Sequence, residues 1–179
     1  MKANIIVGLA VAGLLALAPL AVQAEVLTIV PVKAVVCPAD ESGVTKVALQ
    51  FDFSGIRSGE GRQIDQALLE WRVTGMASDA YTEYVLIPVA AAWSEAGVAG
   101  GSAPAMAEVA SDTWGFSLLD YERNQGGLLR FDILHLVHDW LSGEATNHGV
   151  IIATEDLGRE GLSNQLDRIR LTVRYGFVE

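Results

Sequence analysis

The chain has 179 residues, a formal net charge of −10 at pH 7 and a sequence isoelectric point of about 4.7. An acidic surface of this kind repels DNA, RNA and anionic lipid over a Debye length, so we expect no nucleic-acid partner unless a metal or a local basic patch intervenes. Neutral ligands, cations and basic proteins remain open as partners. The length fits a single domain that buries a full core.

The N-terminal segment, residues 1–24, has the layout of a secretory signal peptide. Lys2 precedes an apolar run, and small residues stand at the minus-three and minus-one positions of a cut after Ala24. As a membrane span this segment is short and interrupted by Pro19, and nothing later in the chain is long enough to cross a bilayer. We therefore expect one exported domain, residues 25–179, secreted or periplasmic and without a transmembrane segment.

The opening part of this domain predicts a strand over residues 27–36, LTIVPVKAVV. Pro31 lacks a backbone donor, which places this strand at a sheet edge or at a bulge. Cys37 follows and is the one cysteine of the chain, so no intramolecular disulfide forms. Free cysteine is among the most buried residue types, and we predict a small buried side chain, with an intermolecular bridge or a reactive thiol as the alternative.

Alternation of apolar and polar residues predicts half-buried antiparallel strands in three segments. They are TKVALQFDF (45–53), ALLEWRV (67–73) and DRIRLTVRY (167–175). Two aliphatic segments, 81–93 and 149–154, are bounded by loop signals and predict further strands. Because no βαβ rhythm separates them, the fold class is all-β, an antiparallel sandwich.

Residues 96–112, AGVAGGSAPAMAEVASD, are small and low in complexity. We predict a long surface loop here. It is not a domain boundary, because the pieces on either side are too small to fold alone.

One helical pattern interrupts the strands, at residues 131–143, FDILHLVHDWLSG. Its apolar residues recur every three or four positions and predict a short helix across one end of the sandwich, with a core-facing stripe of Phe131, Leu134, Val137, Trp140 and Leu141. Asp132 can cap this helix and Gly143 can end it. The following Asn147-His148-Gly149 suits a turn from helix to strand, since Asn and Gly tolerate left-handed conformations.

Two histidines on this helix raise the question of an enzyme. His135 and His138 lie three residues apart beside Asp139, and a transition metal could use such ligands, so a metal-dependent or hydrolytic enzyme centred here is one alternative. However, the HExxH spacing is absent, and both histidines fall on the polar side of the helix. No G-x-S-x-G signature is present either. We predict solvated histidines and a non-catalytic protein.

The order of several motifs resembles the DNRLRE-domain proteins, a jelly-roll family akin to some carbohydrate-binding modules. The resembling stretches cover residues 26–176 and are FDFSGI, IDQALLEW, Trp93-Ser94-Glu95, FDILHLVHDWLSGEATNHGVIIAT and IRLTVRYG. The resemblance implies a jelly-roll sandwich with one short helix and a structural motif of Asp132, Trp140, Asn147 and Gly149. It carries over no catalytic residues. The chain departs from the family at 98–101, where a Thr-Trp is usual, and at Leu134, where a Thr is usual.

Two kinds of ligand contact remain open from the sequence. Acidic jelly rolls have loops where carboxylates and carbonyls converge, so a calcium site is a candidate at Glu155, Asp156 and Glu160. These residues lack the D-x-D-x-D-G spacing of a dedicated calcium loop. Sugars stack on aromatic faces. The aromatic residues in or beside loops are candidate ligand contacts, namely Trp114, Tyr121, Tyr81 and Tyr84, whereas Trp71, Trp93 and Trp140 are predicted to lie in the core.

These observations predict an exported, non-catalytic binding or structural module of the cell envelope or extracellular matrix, with a glycan or an envelope protein as its partner. No cofactor other than calcium is indicated. Besides the enzyme centred on His135 and His138, a second alternative is an assembly subunit that joins its neighbours through edge strands, for which Pro31 and the first strand matter most. The sequence does not determine the oligomeric state.

Overall fold

The computed structural model describes residues 24–38, 43–56, 62–73, 83–107, 116–118, 128–154 and 163–177. Its strands are β1 (Glu25–Ile29), β2 (Pro31–Val36), β3 (Thr45–Phe51), β4 (Arg62–Arg72), β5 (Glu83–Pro88), β6 (Phe116–Leu118), β7 (Leu128–Asp132), β8 (Val150–Thr154) and β9 (Ile169–Phe177). Its helices are α1 (Glu95–Ala99) and α2 (Leu134–Ser142), and a 3₁₀ turn, Leu166–Arg168, precedes β9. The expected signal peptide lies outside these residues except for Ala24.

The described strands form two antiparallel sheets. One has four strands in the order β1-β9-β4-β7, and the other has five in the order β2-β3-β8-β5-β6. Without β2, the order is that of an eight-stranded jelly roll, in which the chain passes repeatedly between two facing sheets. The predicted all-β sandwich is therefore confirmed. No helix in the described part of the chain is long and apolar enough to cross a membrane.

The core between the sheets follows the predicted alternation. Residues at every second position of β3, β4 and β9 are buried, including Val47, Leu49, Phe51, Ala67, Leu69, Trp71, Ile169, Leu171 and Val173. Register brings these positions together across strands, as where Leu69 lies opposite Leu171 and Phe131. The hydrogen-bonding group of the largest buried side chain is satisfied, because Trp71 Nε1 donates to the Gln165 carbonyl at 3.1 Å.

The outer face of the five-stranded sheet is also apolar, which simple alternation does not predict. Strict alternation along β3 places Ala48 on the same side as Lys46 and Gln50, the polar side, yet Ala48 is fully buried. A second hydrophobic cluster forms on this outer face from Cys37, Ala48, Val89, Val98, Ile151 and Ala153. Burial on both faces explains why β8 is a continuous aliphatic strand. The predicted burial of Cys37 is confirmed, because its side chain lies in this second cluster.

The prediction of a long surface loop at 96–112 is wrong for its first part, because α1 lies there and buries Val98. Ser94 begins this helix, since its hydroxyl accepts a hydrogen bond from the backbone N–H of Gly97 at 3.1 Å. Val98 on α1 is fully buried in the second cluster. Residues 108–112 lie outside the described part of the chain.

Helix α2 confirms the predicted short helix and its end at Gly143, but it begins only at Leu134, because Phe131 and Asp132 belong to β7 and Ile133 is the N-cap. It ends at Gly143, whose positive φ of 80° gives the left-handed C-cap. Leu136 and Val137 are buried against the main core. Asp132 assists at the N-terminus, where its carboxylate accepts a hydrogen bond from the backbone N–H of Leu134 at 3.0 Å. Trp140 packs on Phe53, with ring centroids 5.6 Å apart.

The single opening strand predicted over 27–36 is in fact two strands in different sheets. The chain leaves β1 at Val30 and enters β2 at Pro31. Both strands lie at sheet edges, and the register of β2 shifts between Pro31 and Lys33. The position of Pro31 at an edge and beside a bulge is as expected for a residue without a backbone donor.

Candidate binding site

Most aromatic and acidic candidates from the sequence lie outside the part of the chain that the structure describes. Trp114, Tyr121 and Tyr81 lie outside the described residues, as do the three carboxylates of the candidate calcium loop, Glu155, Asp156 and Glu160. Tyr84 is described and is fully buried between the sheets, where it belongs to the main core. Its assignment as a surface contact is therefore corrected, because a buried ring cannot stack on a ligand.

The histidine corner does not assemble into a site within the described residues. His135 and His138 are both exposed on α2. The Nδ1 atom of His138 lies 3.8 Å from Oδ1 of Asp139, a loose surface contact. The described part of the chain holds no group of three or more His, Cys, Asp or Glu residues that could bind a metal ion.

The Asn-x-Gly segment forms a structural corner between α2 and β8. The Asn147 amide donates to the Phe51 carbonyl at 2.8 Å, and its Oδ1 accepts a hydrogen bond from the N–H of Gly149 at 3.0 Å. Gly149 has φ of 93°, and a Cβ there would lie 1.9 Å from the carbonyl oxygen of Leu49. The corner thus needs a side-chain amide at one position and a glycine at the other.

Trp93 ties α1 to this corner and to β2. Its indole N–H donates to the His148 carbonyl at 2.8 Å, so two separate motifs of the sequence meet here. The Lys33 ammonium donates to the Trp93 carbonyl at 3.1 Å and lies 5.3 Å from the ring centroid. Two residues further, Glu95 accepts a hydrogen bond from the backbone N–H of Ala34 at 3.1 Å.

An open cleft lies beside Trp93, within the loop that contains α1. The ends of this loop are joined by an isolated bridge between Val89 and Met106, and Ala90 N–H donates to the Ala105 carbonyl at 2.8 Å. Beyond that pair the two segments separate and border an open volume of about 450 Å³. We call this space the Trp93 cleft, and it is lined by Ala91, Ala92, Trp93, Ser94, Gly97, Ser102, Ala103, Pro104 and Ala105.

The side chains that line the Trp93 cleft are uncharged, and the Lys33 ammonium at the Trp93 ring lies outside this lining. None of its lining residues is ionisable, although the chain as a whole carries ten net negative charges. Its polar groups are the hydroxyls of Ser94 and Ser102 together with peptide groups, and its apolar groups are an indole and several methyls. A volume of this size lies within the range of small-molecule sites, which combine apolar walls with a few polar groups.

The sequence offered one signal for this cleft, the Trp93-Ser94-Glu95 motif. We predicted Trp93 as a core residue, and it does pack on the second cluster, but it is only partly buried and also lines the cleft. The small residues around it have no periodicity, so they indicated only a loop. Ser94 before Glu95 could have predicted the start of a short helix.

The outer face of the four-stranded sheet is polar and paired. Arg174 donates to Asp65 at 2.8 Å, which raises the pKa of Arg174, and Arg130 donates to Glu70 at 2.8 Å. Glu70 lies opposite Arg130 on β7 and Arg170 on β9. It pairs with Arg130, whereas Arg170 donates to the backbone carbonyls of Asp167 and Ile169.

The fold and the cleft together define the class of this protein as a jelly-roll sandwich with an open, uncharged cleft on one face. No protein-family model matches the chain. No curated protein matches it either. The resemblance to DNRLRE-domain proteins depends on the motifs of this sequence alone.

Proposed function

We propose that this chain is an exported, non-catalytic binding module of the cell envelope or extracellular matrix, and that it binds a neutral glycan in the Trp93 cleft. The single observation that carries the proposal is an open cleft without any ionisable side chain in a strongly acidic protein. We further propose that the chain is a divergent relative of the DNRLRE-domain proteins.

The composition of the cleft favours a sugar over a charged or purely apolar ligand. A pyranose presents C–H groups on its faces, which complement the indole and the methyl groups of the cleft. The hydroxyls at its rim complement the serine hydroxyls and the peptide groups. A charged ligand would find no opposite charge among the lining residues.

The wall of the cleft is held in place before a ligand arrives. Trp93 is fixed by its hydrogen bond to the His148 carbonyl, and Ser94 is fixed as the N-cap of α1. Glu95 ties the first turn of α1 to β2. Preorganised walls lower the entropy cost of binding, so a shallow site of this kind is able to select a ligand.

The proposal is tested with a panel of neutral and acidic glycans. The chain is expressed with its own N-terminal segment and recovered from the exporting cell, and its N-terminal residue is expected to be Glu25. We expect selective binding to one neutral glycan class and recovery of that glycan unchanged. Failure of a folded protein to bind any neutral glycan would overturn the binding proposal.

The same experiment addresses the enzyme alternative. If the bound glycan is cleaved, the non-catalytic part of the proposal is wrong. Substituting His135 and His138 in the assay would then show whether the cleavage depends on the histidine corner.

A further inference from the structure

The run from Glu25 to Lys33 presents a row of exposed β-branched residues. Side chains alternate along it, and the even positions all point to solvent, namely Val26, Thr28, Val30 and Val32. Among the described residues, four large hydrophobic side chains are exposed, and three of them lie here, with exposed fractions of 62% for Val26, 53% for Val30 and 57% for Val32. We call this row the valine stripe.

The valine stripe runs along β1 and β2, which are edge strands of the two different sheets, with Val30 between them. In the described sheets β1 has β9 as its one neighbour, and β2 has β3. Natural edge strands usually carry charges or other devices that prevent pairing with another chain. Beyond the stripe β2 has such a device, because Glu95 occupies the backbone N–H of Ala34. The seven residues from Val26 to Val32 contain no charge at all.

The sequence of this run is complementary to itself in reverse. If two copies lie antiparallel about Ile29, Val26 of one faces Val32 of the other, and Thr28 faces Val30. The same register places Glu25 of each copy opposite Lys33 of its partner, so a charge pair closes each end. Opposite residues of an antiparallel pair are close enough for β-branched and charged pairs of this kind to be favourable.

We propose that the valine stripe is a homodimer interface in which two copies of the chain pair antiparallel about Ile29. Two-fold symmetry uses the same surface on both copies, as this register requires. Lys33 keeps donors for Glu25 of the partner copy, because an ammonium has three and one is used on the Trp93 carbonyl. Pro31 has no backbone N–H to donate. In this register it lies opposite Leu27, whose side chain packs on the main core.

Light scattering on the exported chain tests this directly. We expect a mass twice that of one chain at high micromolar concentration, and we expect Val30→Lys to raise the dimer dissociation constant by about 100-fold, roughly tenfold for each of the two equivalent sites. The matched control is Met106→Lys, which adds the same charge at an exposed hydrophobic residue outside the stripe and should leave the mass unchanged.

A cross-link tests the register. A chain carrying both Thr28→Cys and Val30→Cys should form a covalent dimer on mild oxidation, far faster than either single variant. A monomer at all concentrations, a dimer unaffected by Val30→Lys, or a double variant that does not cross-link would each overturn the proposal. Glycan binding by the Val30→Lys chain reports separately on the Trp93 cleft.

Discussion

At the scale of single residues, Gly149 is constrained by both space and backbone conformation. Its φ is 93°, and an added Cβ would lie 1.9 Å from the Leu49 carbonyl oxygen. We expect Gly149→Ala to destabilise the fold by roughly 3–5 kcal/mol, the sum of backbone strain and overpacking. Chemical denaturation measures this.

The matched control for this prediction is Gly143→Ala. Gly143 also has a positive φ, 80°, but nothing lies within 4 Å of an added Cβ. It should cost only about 1 kcal/mol, from the left-handed backbone alone. Equal losses at the two glycines would contradict the close approach of Gly149 to β3.

Asp52 gives a residue-scale prediction for pH. The backbone N–H and then the hydroxyl of Ser54 donate to its carboxylate, at 2.8 and 2.9 Å, and these bonds lower the pKa of Asp52. The charged form is therefore favoured by folding, so its small contribution to stability is present above the ordinary carboxyl pKa of about 3.9 and is lost as pH falls through the lowered value.

An NMR titration of the Asp52 carboxyl should give a pKa below that ordinary value. In the Ser54→Ala chain the hydroxyl bond is lost, and the pKa of Asp52 should move upward. A pKa of Asp52 that is unchanged by Ser54→Ala would show that the side-chain bond does not act on this carboxylate.

Residue roles were predictable where local chemistry sets them. Asn147 and Gly149 follow from the turn between helix and strand, and Gly143 follows from the end of an apolar stripe. Tyr84 was misplaced because it lies one residue inside β5, and the boundary between loop and strand decides whether such a ring is exposed. The Trp93 cleft was missed because its lining is mostly alanine, glycine and serine.

At the scale of elements, α1 depends on its N-cap more than a long helix would. It spans Glu95–Ala99, and the Ser94 hydroxyl satisfies one of its few free backbone N–H groups. We expect Ser94→Ala to cost about 1 kcal/mol of stability and to raise amide hydrogen exchange in residues 95–101. The control is Ser102→Ala, because Ser102 is an exposed cleft residue that bonds α1 through its backbone N–H, which alanine keeps. Similar effects from both would remove the capping role.

Helix α2 gives the element-scale prediction on metals. His135 and His138 point to solvent, so the double change to Ala should alter the free energy of unfolding by less than about 0.5 kcal/mol. Zinc should not raise the melting temperature of the wild-type chain. A zinc-dependent rise that the double variant abolishes would revive the metal site, because a ligand of the native state must stabilise it.

The elements themselves differ in how visible they are in sequence. The strands β4 and β9 alternate because each has one face in the core, and α2 repeats at helical spacing for the same reason. β8 and the neighbouring Ala48 do not alternate, because α1 covers the second face of their sheet. The split of the opening strand into β1 and β2 depends on which sheet each half joins, which no local pattern encodes.

At the scale of the whole molecule, charge and shape point to different partners on different surfaces. The chain is strongly acidic overall, yet the two surfaces proposed for binding are uncharged. No ionisable residue lines the Trp93 cleft, and none lies in the valine stripe, which Glu25 and Lys33 flank. The strand pattern predicted the sandwich, and the family resemblance predicted its jelly-roll order. Neither could place the cleft, which forms only when the loop after β5 folds back on the sheet.

The most direct test of the central claim is a calorimetric titration of the exported chain with the neutral glycan selected from the panel. The decisive variant is Ala103→Leu, which fills the cleft at an exposed position, and its control is Ala99→Leu, an exposed change on α1 outside the lining. We predict that Ala103→Leu weakens binding at least about tenfold, or 1.4 kcal/mol, while Ala99→Leu binds as the wild type does. Equal affinity in all three chains would show that the Trp93 cleft is not the binding site.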